Sequence, residues 1–389
     1  MKGLTAVEHR ALKAIAAQFF INGAVVASYV PRLPGIRDRL GINLSTIGLV
    51  FAIATGAGVV GSVLQGPLVA RLGAKTAMIY GGIALIVLLP VVAWVPNWPT
   101  LLIVLAALSI VDVVVDVSMN VQGSALSARR DVPVMNRLHG MWSLGTLVGA
   151  LVAAAMASLS VDLRRHMIGA AVVLAATLAY VAPGLLDKSP DDDPPPATSP
   201  TARRSTVFAF VALGGAAILP EMINSDWSAF RLTDDLGATA GVAALAYVAF
   251  TSGMVTGRFS GDSIVGRNGS TAVLKVATVL AAVGTLVATL IPATPTVFIG
   301  LFVAGLGVSV MFPQLYDAGA RHPQSAHALG GLTAGTRVML FVGPLVVGIL
   351  ADMDAITVGA AIAVTTVPAA ILVLILSNRL LGTVPANGR

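Results

Sequence analysis

Two carboxylic acids one helical turn apart are the residues of this sequence best suited to chemistry. Asp112 and Asp116 are followed by Asn120 and Ser124, each four residues after the last, inside a long apolar stretch. On a helix this spacing makes one polar ridge about 18 Å long, at a rise of about 1.5 Å per residue. Two such carboxylates repel each other when both are ionised, which favours proton binding by one of them. The spacing therefore predicts a site where a proton is bound and released.

A charged group of the opposite sign, Arg337, lies near the middle of another apolar stretch. A guanidinium in such surroundings needs a carboxylate partner or water. Glu221 and Asp112 are the candidate partners. A static ion pair and a pair that switches with conformation both remain open.

The segment LPEMINSDWSAF places several polar side chains directly after a proline. Pro220 removes a backbone donor, so we expect a break in its helix. Glu221, Asn224, Asp226 and Trp227 follow it. Polar side chains beside a broken helix are a common way to build a substrate site. The alternative to a substrate site is a solvent-exposed outer end of the helix, where Trp227 anchors the interface and Asp226 is solvated.

The remaining candidates are single polar residues. His139 is expected near the Ser124 end of the polar ridge. It either relays protons from Asp116 or is a polar residue with satisfied hydrogen bonds at the edge of the membrane. The predicted proton-coupling residues are Asp112, Asp116, His139 and Glu221. The predicted substrate contacts are Asn22, Asn120, Trp142, Asn224, Asp226, Trp227, Gln314 and Arg337.

The elements that must position these residues follow from composition. Of the 389 residues 56% are hydrophobic and only 11% charged, and the mean hydropathy is +0.89. A soluble domain carries about 25% charged residues, so these values exclude an ordinary soluble enzyme. The net charge of +6 is scattered singly between apolar runs rather than clustered, which argues against nucleic-acid binding. No cysteine, phosphate-binding loop, metal-ligand cluster or nucleophile–base pair stands out, so we expect no cofactor, no ATP use and no enzyme activity.

Twelve apolar runs are long enough to span a membrane as helices, which takes about 20 residues each. They predict an all-α integral membrane protein built as two six-helix bundles. The acidic and Pro-rich segment between them reads as a solvated linker. The predicted parts are an N-terminal bundle at 1–186, a linker at 187–204 and a C-terminal bundle at 205–389. The predicted spans are 11–30, 45–70, 76–95, 100–127, 134–159, 163–186, 205–223, 239–260, 271–291, 296–320, 326–350 and 355–376.

The distribution of cations predicts the orientation. With the N-terminus inside, the inner segments carry 17 of the Lys and Arg residues and the outer loops carry 6, so we expect both termini in the cytoplasm. The two halves also repeat: an offset of 192 residues pairs Gly61 with Gly253 and Gln122 with Gln314. A parallel repeat of this kind is typical of transporters that rock about a site between their halves.

This organisation resembles the major facilitator superfamily over the whole chain. The family signature follows the second and eighth helices, and its copies here are GPLVARLGAK (Gly66–Lys75) and GRFSGDSIVGR (Gly257–Arg267). At the 192-residue offset Asp262 aligns with Ala70, so only the second copy keeps the acid. The resemblance implies a charged latch on the cytoplasmic gate, and the alternative is that the basic residues only set the topology. The predicted gating residues are Arg71, Lys75, Arg258, Asp262 and Arg267.

The fourth and fifth spans resemble the fucose-permease-like branch of that superfamily. The residues that carry this resemblance are DVSMNVQG (Asp116–Gly123) and NRLHGMWSLGTLVG (Asn136–Gly149). The branch has an acid four residues before an Asn in the fourth helix, which makes Asp116 the first choice for the proton site.

The sequence therefore predicts a monomeric secondary active transporter in the cytoplasmic membrane of a bacterium. It moves a small organic solute by alternating access, coupled to protons, with symport of a polar, sugar-like solute favoured. Proton-driven export of drugs or amphipathic metabolites is the first alternative. A membrane sensor or scaffold that binds a ligand without moving it is the second.

Overall fold

The fold is seen in a computed structural model that describes residues 5–130, 134–187, 204–322 and 324–381. The side chains of residues 128–130, 136, 204–205, 262, 326 and 381 lie outside this description. Of the predicted linker, all but its first and last residues fall outside it as well.

The part of the chain that the structure describes is helical and contains no strand. Twelve of its helical segments are long and apolar enough to cross a membrane, which confirms the predicted fold class. The helices are α1 (Ala6–Tyr29), α2 (Leu33–Leu40), α3 (Leu44–Leu72), α4 (Ala74–Trp94), α5 (Trp98–Arg130), α6 (Met135–Ser158), α7 (Leu163–Val181), α8 (Arg204–Phe230), α9 (Ala240–Asn268), α10 (Ser270–Leu290), α11 (Thr294–Ala320), α12 (Ser325–Ala351) and α13 (Val358–Leu381).

The first span is longer than predicted. A single 3₁₀ turn, Val30–Arg32, joins α1 to α2, and the helical segment that contains the first span runs over Ala6–Leu40. Pro31 and Pro34 each stand in the first turn of the element they begin, where a missing backbone donor costs nothing. Both prolines therefore begin new helical elements directly after the predicted end of the span at residue 30.

The seventh span is not broken at Pro220, contrary to prediction. The helix α8 continues through this proline to Phe230, and a π-helical turn, Arg231–Asp235, follows. A proline inside a transmembrane helix is tolerated where nearby groups satisfy the freed backbone. The carbonyl that this proline leaves without its helical donor is that of Ala216, one turn earlier. The side-chain amide of Asn224 donates to the carbonyl of Pro220 itself at 2.7 Å.

Contacts divide the chain into two compact units. The first contains residues 1–42 and 53–195, and the second contains residues 43–52 and 196–389. In the first unit α1 packs closely on α6, because a Cβ on Gly145 would lie 2.1 Å from the carbonyl oxygen of Phe20. In the second unit α8 packs as closely on α12, where a Cβ on Gly335 would lie 1.8 Å from that of Val211. Glycine at these positions lets the helix backbones touch.

The two units repeat the same pattern, at an offset different from the predicted one. The bounds of α3 and α9 differ by 196 residues at both ends, as do those of α4 and α10. Single glycines with positive φ, Gly73 at 77° and Gly269 at 81°, join these helices in each half. The predicted offset of 192 is thus about one helical turn out of register, and a slip of one turn leaves residues on the same helix face.

Candidate functional site

A chain of hydrogen bonds links three of the predicted residues inside the first unit. The side-chain amide of Asn22 donates to Oδ1 of Asp112 at 2.7 Å. The indole of Trp142 donates to Oδ1 of Asn22 at 2.8 Å. These residues come from α1, α5 and α6, so the bonds tie three helices together.

Close packing of α1 on α6 brings this trio together. Asn22 is buried and is followed by Gly23, where a Cβ would lie 2.3 Å from the carbonyl oxygen of Trp142. Any side chain larger than hydrogen at residue 23 would push α6 away. That displacement of α6 would also separate Asn22 from Trp142. Glycine at residue 23 is therefore required for the hydrogen bond between them.

The rest of the polar ridge continues along α5. The amide of Asn120 donates to the backbone carbonyl of Asp116 at 2.8 Å and to its Oδ1 at 3.2 Å. Asp116 and Ser124 are exposed, whereas Asp112 is half-buried. The ridge thus runs from a half-buried carboxylate held by Asn22 to an exposed one held by its own helix.

His139 lies beside the ridge on α6 and is exposed. Its ring meets that of Phe19 edge-on, with the ring centroids 5.3 Å apart. A role as a proton relay stays a prediction.

In the second unit the carboxylate of Glu221, one of the two candidate partners of Arg337, pairs with Arg258 instead. Oε1 of Glu221 lies 3.6 Å from the guanidinium of Arg258, and about a quarter of each side chain is exposed. Within the described residues Arg337 forms no ion pair. Arg258 lies near the end of the candidate span Ala240–Gly261, as the predicted span 239–260 has it, and α9 itself continues to Asn268.

The other predicted residues of α8 point into their own unit. Asn224 is buried and donates to the hydroxyl of Thr285 at 2.9 Å. Trp227 is fully buried and packs on Phe230 with ring centroids 5.4 Å apart, which excludes the interfacial alternative for this Trp. Asp226 accepts from the hydroxyl of Ser225 at 3.0 Å.

The predicted gating residues have different surroundings. Lys75 donates to Oδ1 of Asp187 at 2.6 Å, and this bond holds the pKa of that exposed carboxyl below its usual range. Arg71 and Arg267 are exposed and correspond to each other at the 196-residue offset.

The signature copies are likewise realigned by the 196-residue offset. Ala70 corresponds to Gly266, and Asp262 corresponds to Gly66. The predicted alignment of Asp262 with Ala70 is therefore one turn out of register. The side chain of Asp262 lies outside the described residues.

Gln314, a predicted substrate contact, accepts a hydrogen bond from Ser270 at the start of α10. Its predicted repeat partner Gln122 exchanges two hydrogen bonds with the backbone of Leu186, at 2.8 and 2.9 Å. Gln314 thus links α11 to the start of α10 in the second unit, and Gln122 links α5 to the segment after α7 in the first.

A buried ion pair that sequence reasoning missed follows α8. Arg231 and Asp235 lie 2.7 Å apart with 6% and 9% of their side chains exposed. The carboxylate of Asp235 also accepts from the backbone N–H groups of Val358 and Gly359 at 3.1 and 2.8 Å, and so caps α13. The only sequence signal was the spacing of four residues in RLTDD, which a solvated loop carries equally well.

Comparisons with known proteins agree with this architecture. The profile of the Major Facilitator Superfamily matches residues 15–313. An uncharacterized MFS-type transporter of Yersinia pestis is 27% identical, over 87% of this chain and 88% of its own length. The membrane protein MosC of Rhizobium meliloti is 26% identical, over 79% and 75%.

Two solved structures share the fold at low sequence identity. The nucleoside transporter NupG is 15% identical with a TM-score of 0.67, covering 97% of this chain and 99% of that one. A bacterial homolog of the human lysosomal transporter Spinster is 14% identical with a TM-score of 0.68, covering 96% of each chain.

Proposed function

The chain belongs to the Major Facilitator Superfamily, and from that premise we propose that it is a proton-coupled transporter of a small polar solute. It is a multi-pass membrane protein of a transporter family, not an enzyme. The proposal includes proton coupling, the class of the solute and membership of the fucose-permease-like branch. It also includes cytoplasmic termini, the bundle boundaries given above, a monomeric state and location in the cytoplasmic membrane of a bacterium.

The observation that carries the proposal is the hydrogen bond from Asn22 to Asp112. A carboxylate within a membrane span is costly unless a cation, a proton or hydrogen bonds compensate it. Asp112 accepts a hydrogen bond from the neutral amide of Asn22. Among the described residues of its unit no cation pairs with Asp112. Proton binding would remove the charge, and proton release would restore it, in a place that three helices share.

This geometry favours Asp112 over Asp116 as the proton site. The carboxylate of Asp112 is reached through Asn22 from Trp142, so a change in its charge acts on α1 and α6 as well as on α5. Asp116, in contrast, is exposed, and Asn120 of the same helix donates to it. We therefore assign proton exchange to Asp112, and hydrogen bonding of the solute to Asp116 and Asn120.

The hydrogen-bonding groups along the ridge favour a polar solute. Carboxylate, amide and indole groups recognise hydroxyl and amine groups, and a site built this way rejects analogues that lack them. Sugar-like and nucleoside-like compounds have this chemistry, whereas amphipathic drugs depend more on apolar contact.

The first experiment identifies the solute. Purified protein is heated with defined monosaccharides, nucleosides, carboxylates and amphipathic drugs, and a rise in its melting temperature marks binding. A polar compound from the first three groups is expected. Stabilisation by amphipathic drugs alone would contradict the proposed substrate class and favour the exporter.

The second experiment tests coupling in liposomes with the compound so identified. Wild-type protein is expected to accumulate it in response to an imposed pH gradient, and a protonophore should abolish the accumulation. Asp112→Asn should lower gradient-driven accumulation at least tenfold while exchange of labelled for unlabelled solute persists. Asp354→Asn, which changes an exposed acid in the loop before α13, is the matched control.

The outcome separates the candidate residues. Accumulation by Asp112→Asn with the wild-type pH dependence would refute the assignment. Loss of pH dependence in Asp116→Asn alone would move the proton site to Asp116. Binding without flux in the wild-type protein would favour a sensor.

A further inference from the structure

A basic cavity lies at the opposite end of the first unit from the α1–α2 turn and is unrelated to the transport site. It has a volume of about 560 Å³ and lies between the start of α1 and the end of α7. Its lining residues are Ala6, His9, Arg10, Lys13, Ala14, Tyr180, Val181, Pro183 and Gly184.

The charge of the cavity comes from one face of α1. Arg10 and Lys13 are three residues apart, and His9 and Lys13 are four apart, so all three share that face. Each is exposed. All the lining residues are described, and none of them is acidic. The acid nearest in sequence, Glu8, accepts from the backbone N–H of Thr5 at 2.9 Å and caps α1.

The wall opposite α1 is a turn that fits it closely. The 3₁₀ turn Ala182–Gly184 follows α7, and a Cβ on Gly184 would lie 3.0 Å from Cγ of Arg10 and 3.0 Å from Cβ of Ala14. The aliphatic stem of Arg10 therefore packs against this turn while its exposed guanidinium is left to meet a ligand.

The position of the cavity places it at a membrane surface. The start of the first span and the end of the sixth lie on the same side of a bilayer, since an even number of spans separates them. Tyr180, in the last turn of α7, is 87% exposed. Exposed tyrosines at span ends are typical of the head-group level of the membrane.

We propose that this cavity binds a phosphate group, that of an anionic phospholipid in the leaflet around the protein. The permanently charged side chains of Arg10 and Lys13, together with His9, supply hydrogen-bond donors to the phosphate oxygens. The ring of Tyr180 lies alongside the glycerol and upper acyl chains. Basic pockets between transmembrane helices suit anionic head groups for this reason.

The test measures lipid binding to the full-length protein by native mass spectrometry. Phosphatidylglycerol and phosphatidylcholine with identical acyl chains are added in turn. Wild-type protein is expected to retain phosphatidylglycerol selectively. The double variant Arg10→Gln/Lys13→Gln should lower its retention at least fivefold and leave that of phosphatidylcholine unchanged. The matched control is Lys275→Gln/Arg379→Gln, which removes two exposed cations of the second unit and should bind as wild type does.

Two further arms identify the source of the phosphate and guard against misfolding. Inorganic phosphate at millimolar concentration should not displace the lipid, and displacement would reveal a free-phosphate site and overturn the lipid assignment. Arg10→Lys/Lys13→Arg keeps both charges and should retain phosphatidylglycerol. Equal binding of both lipids by wild type, or unchanged retention by Arg10→Gln/Lys13→Gln, would overturn the proposal.

Discussion

At the scale of single residues, Asn22 sets the geometry of the candidate site. Its amide uses one donor on Asp112 and its acceptor on Trp142, so both ends are committed. A buried amide without these partners would lose free energy on the order of 1–3 kcal/mol. The trio is therefore a cooperative unit, and changing one member disturbs the other two.

The indole of Trp142 offers the mildest test of this unit. Trp142→Phe keeps the aromatic ring and removes the N–H donor, which leaves Oδ1 of Asn22 without that bond. We expect about a fivefold lower transport rate, which corresponds to the roughly 1 kcal/mol of one hydrogen bond, with a melting temperature near that of wild type. The readout is the initial rate of uptake in liposomes.

Trp98→Phe is the control for this prediction, since Trp98 is exposed at the start of α5. Equal rates in the two variants would show that the hydrogen bond from Trp142 has no part in transport.

At the scale of elements, the sequence was most informative about helices and least about what joins them. Twelve spans followed from apolar runs, because length and hydropathy are all that a bilayer demands of a helix. The passage of α8 through Pro220 was not predictable, because it depends on how the neighbouring groups of the folded chain satisfy the backbone. The Glu221–Arg258 pair joins helices whose facing sides the spacing of residues does not reveal.

The helix contact at Gly253 yields a prediction about stability. A Cβ there would lie 2.0 Å from the carbonyl oxygen of Phe302, so Gly253→Ala must push α9 away from α11. Overpacking of this kind costs about 1–3 kcal/mol. We expect a clear fall in melting temperature, measured by size-exclusion chromatography after heating in detergent.

Gly266→Ala is the matched variant in the same helix, because a Cβ there meets no atom within 4 Å. Alanine is also the better helix former, by up to about 1 kcal/mol. Its melting temperature should equal or exceed that of wild type, and a fall as large as that of Gly253→Ala would contradict this account of α9.

The buried pair that caps α13 yields a second prediction for an element. Asp235→Asn leaves the charge of Arg231 buried without its counterion and weakens the cap on Val358 and Gly359. Removing one partner of a buried pair costs about 3–5 kcal/mol. The variant should melt well below wild type, and Asp354→Asn should not. Similar melting of the two variants would show that the pair contributes little.

At the scale of the whole molecule, the repeat is the main organising feature. Residue matches suggested an offset of 192, whereas the helix bounds give 196 for two successive helix pairs. The contact of Gly61 with the carbonyl of Ile110 has its equivalent in that of Gly257 with Leu306, at the same 196 residues. Sequence alone could not choose between offsets one turn apart, because both place like residues on like faces.

The orientation of the molecule can be tested directly, since the chain contains no cysteine. Ala355→Cys lies in the exposed loop before α13 and Gly266→Cys near the end of α9. If both termini are cytoplasmic, a membrane-impermeant maleimide should label the first in intact cells and the second only after permeabilisation. The reverse pattern would overturn the orientation predicted from the cations.

The bond between Trp142 and Asn22 makes the two oxygens of Asp112 inequivalent. An indole can only donate, so Oδ1 of Asn22 must face it and the amide nitrogen must face Asp112. Oδ1 of Asp112 is thereby kept as an acceptor in every protonation state that preserves the chain of bonds. A proton that binds this carboxyl therefore binds at Oδ2. Any path by which the proton enters or leaves must reach that oxygen.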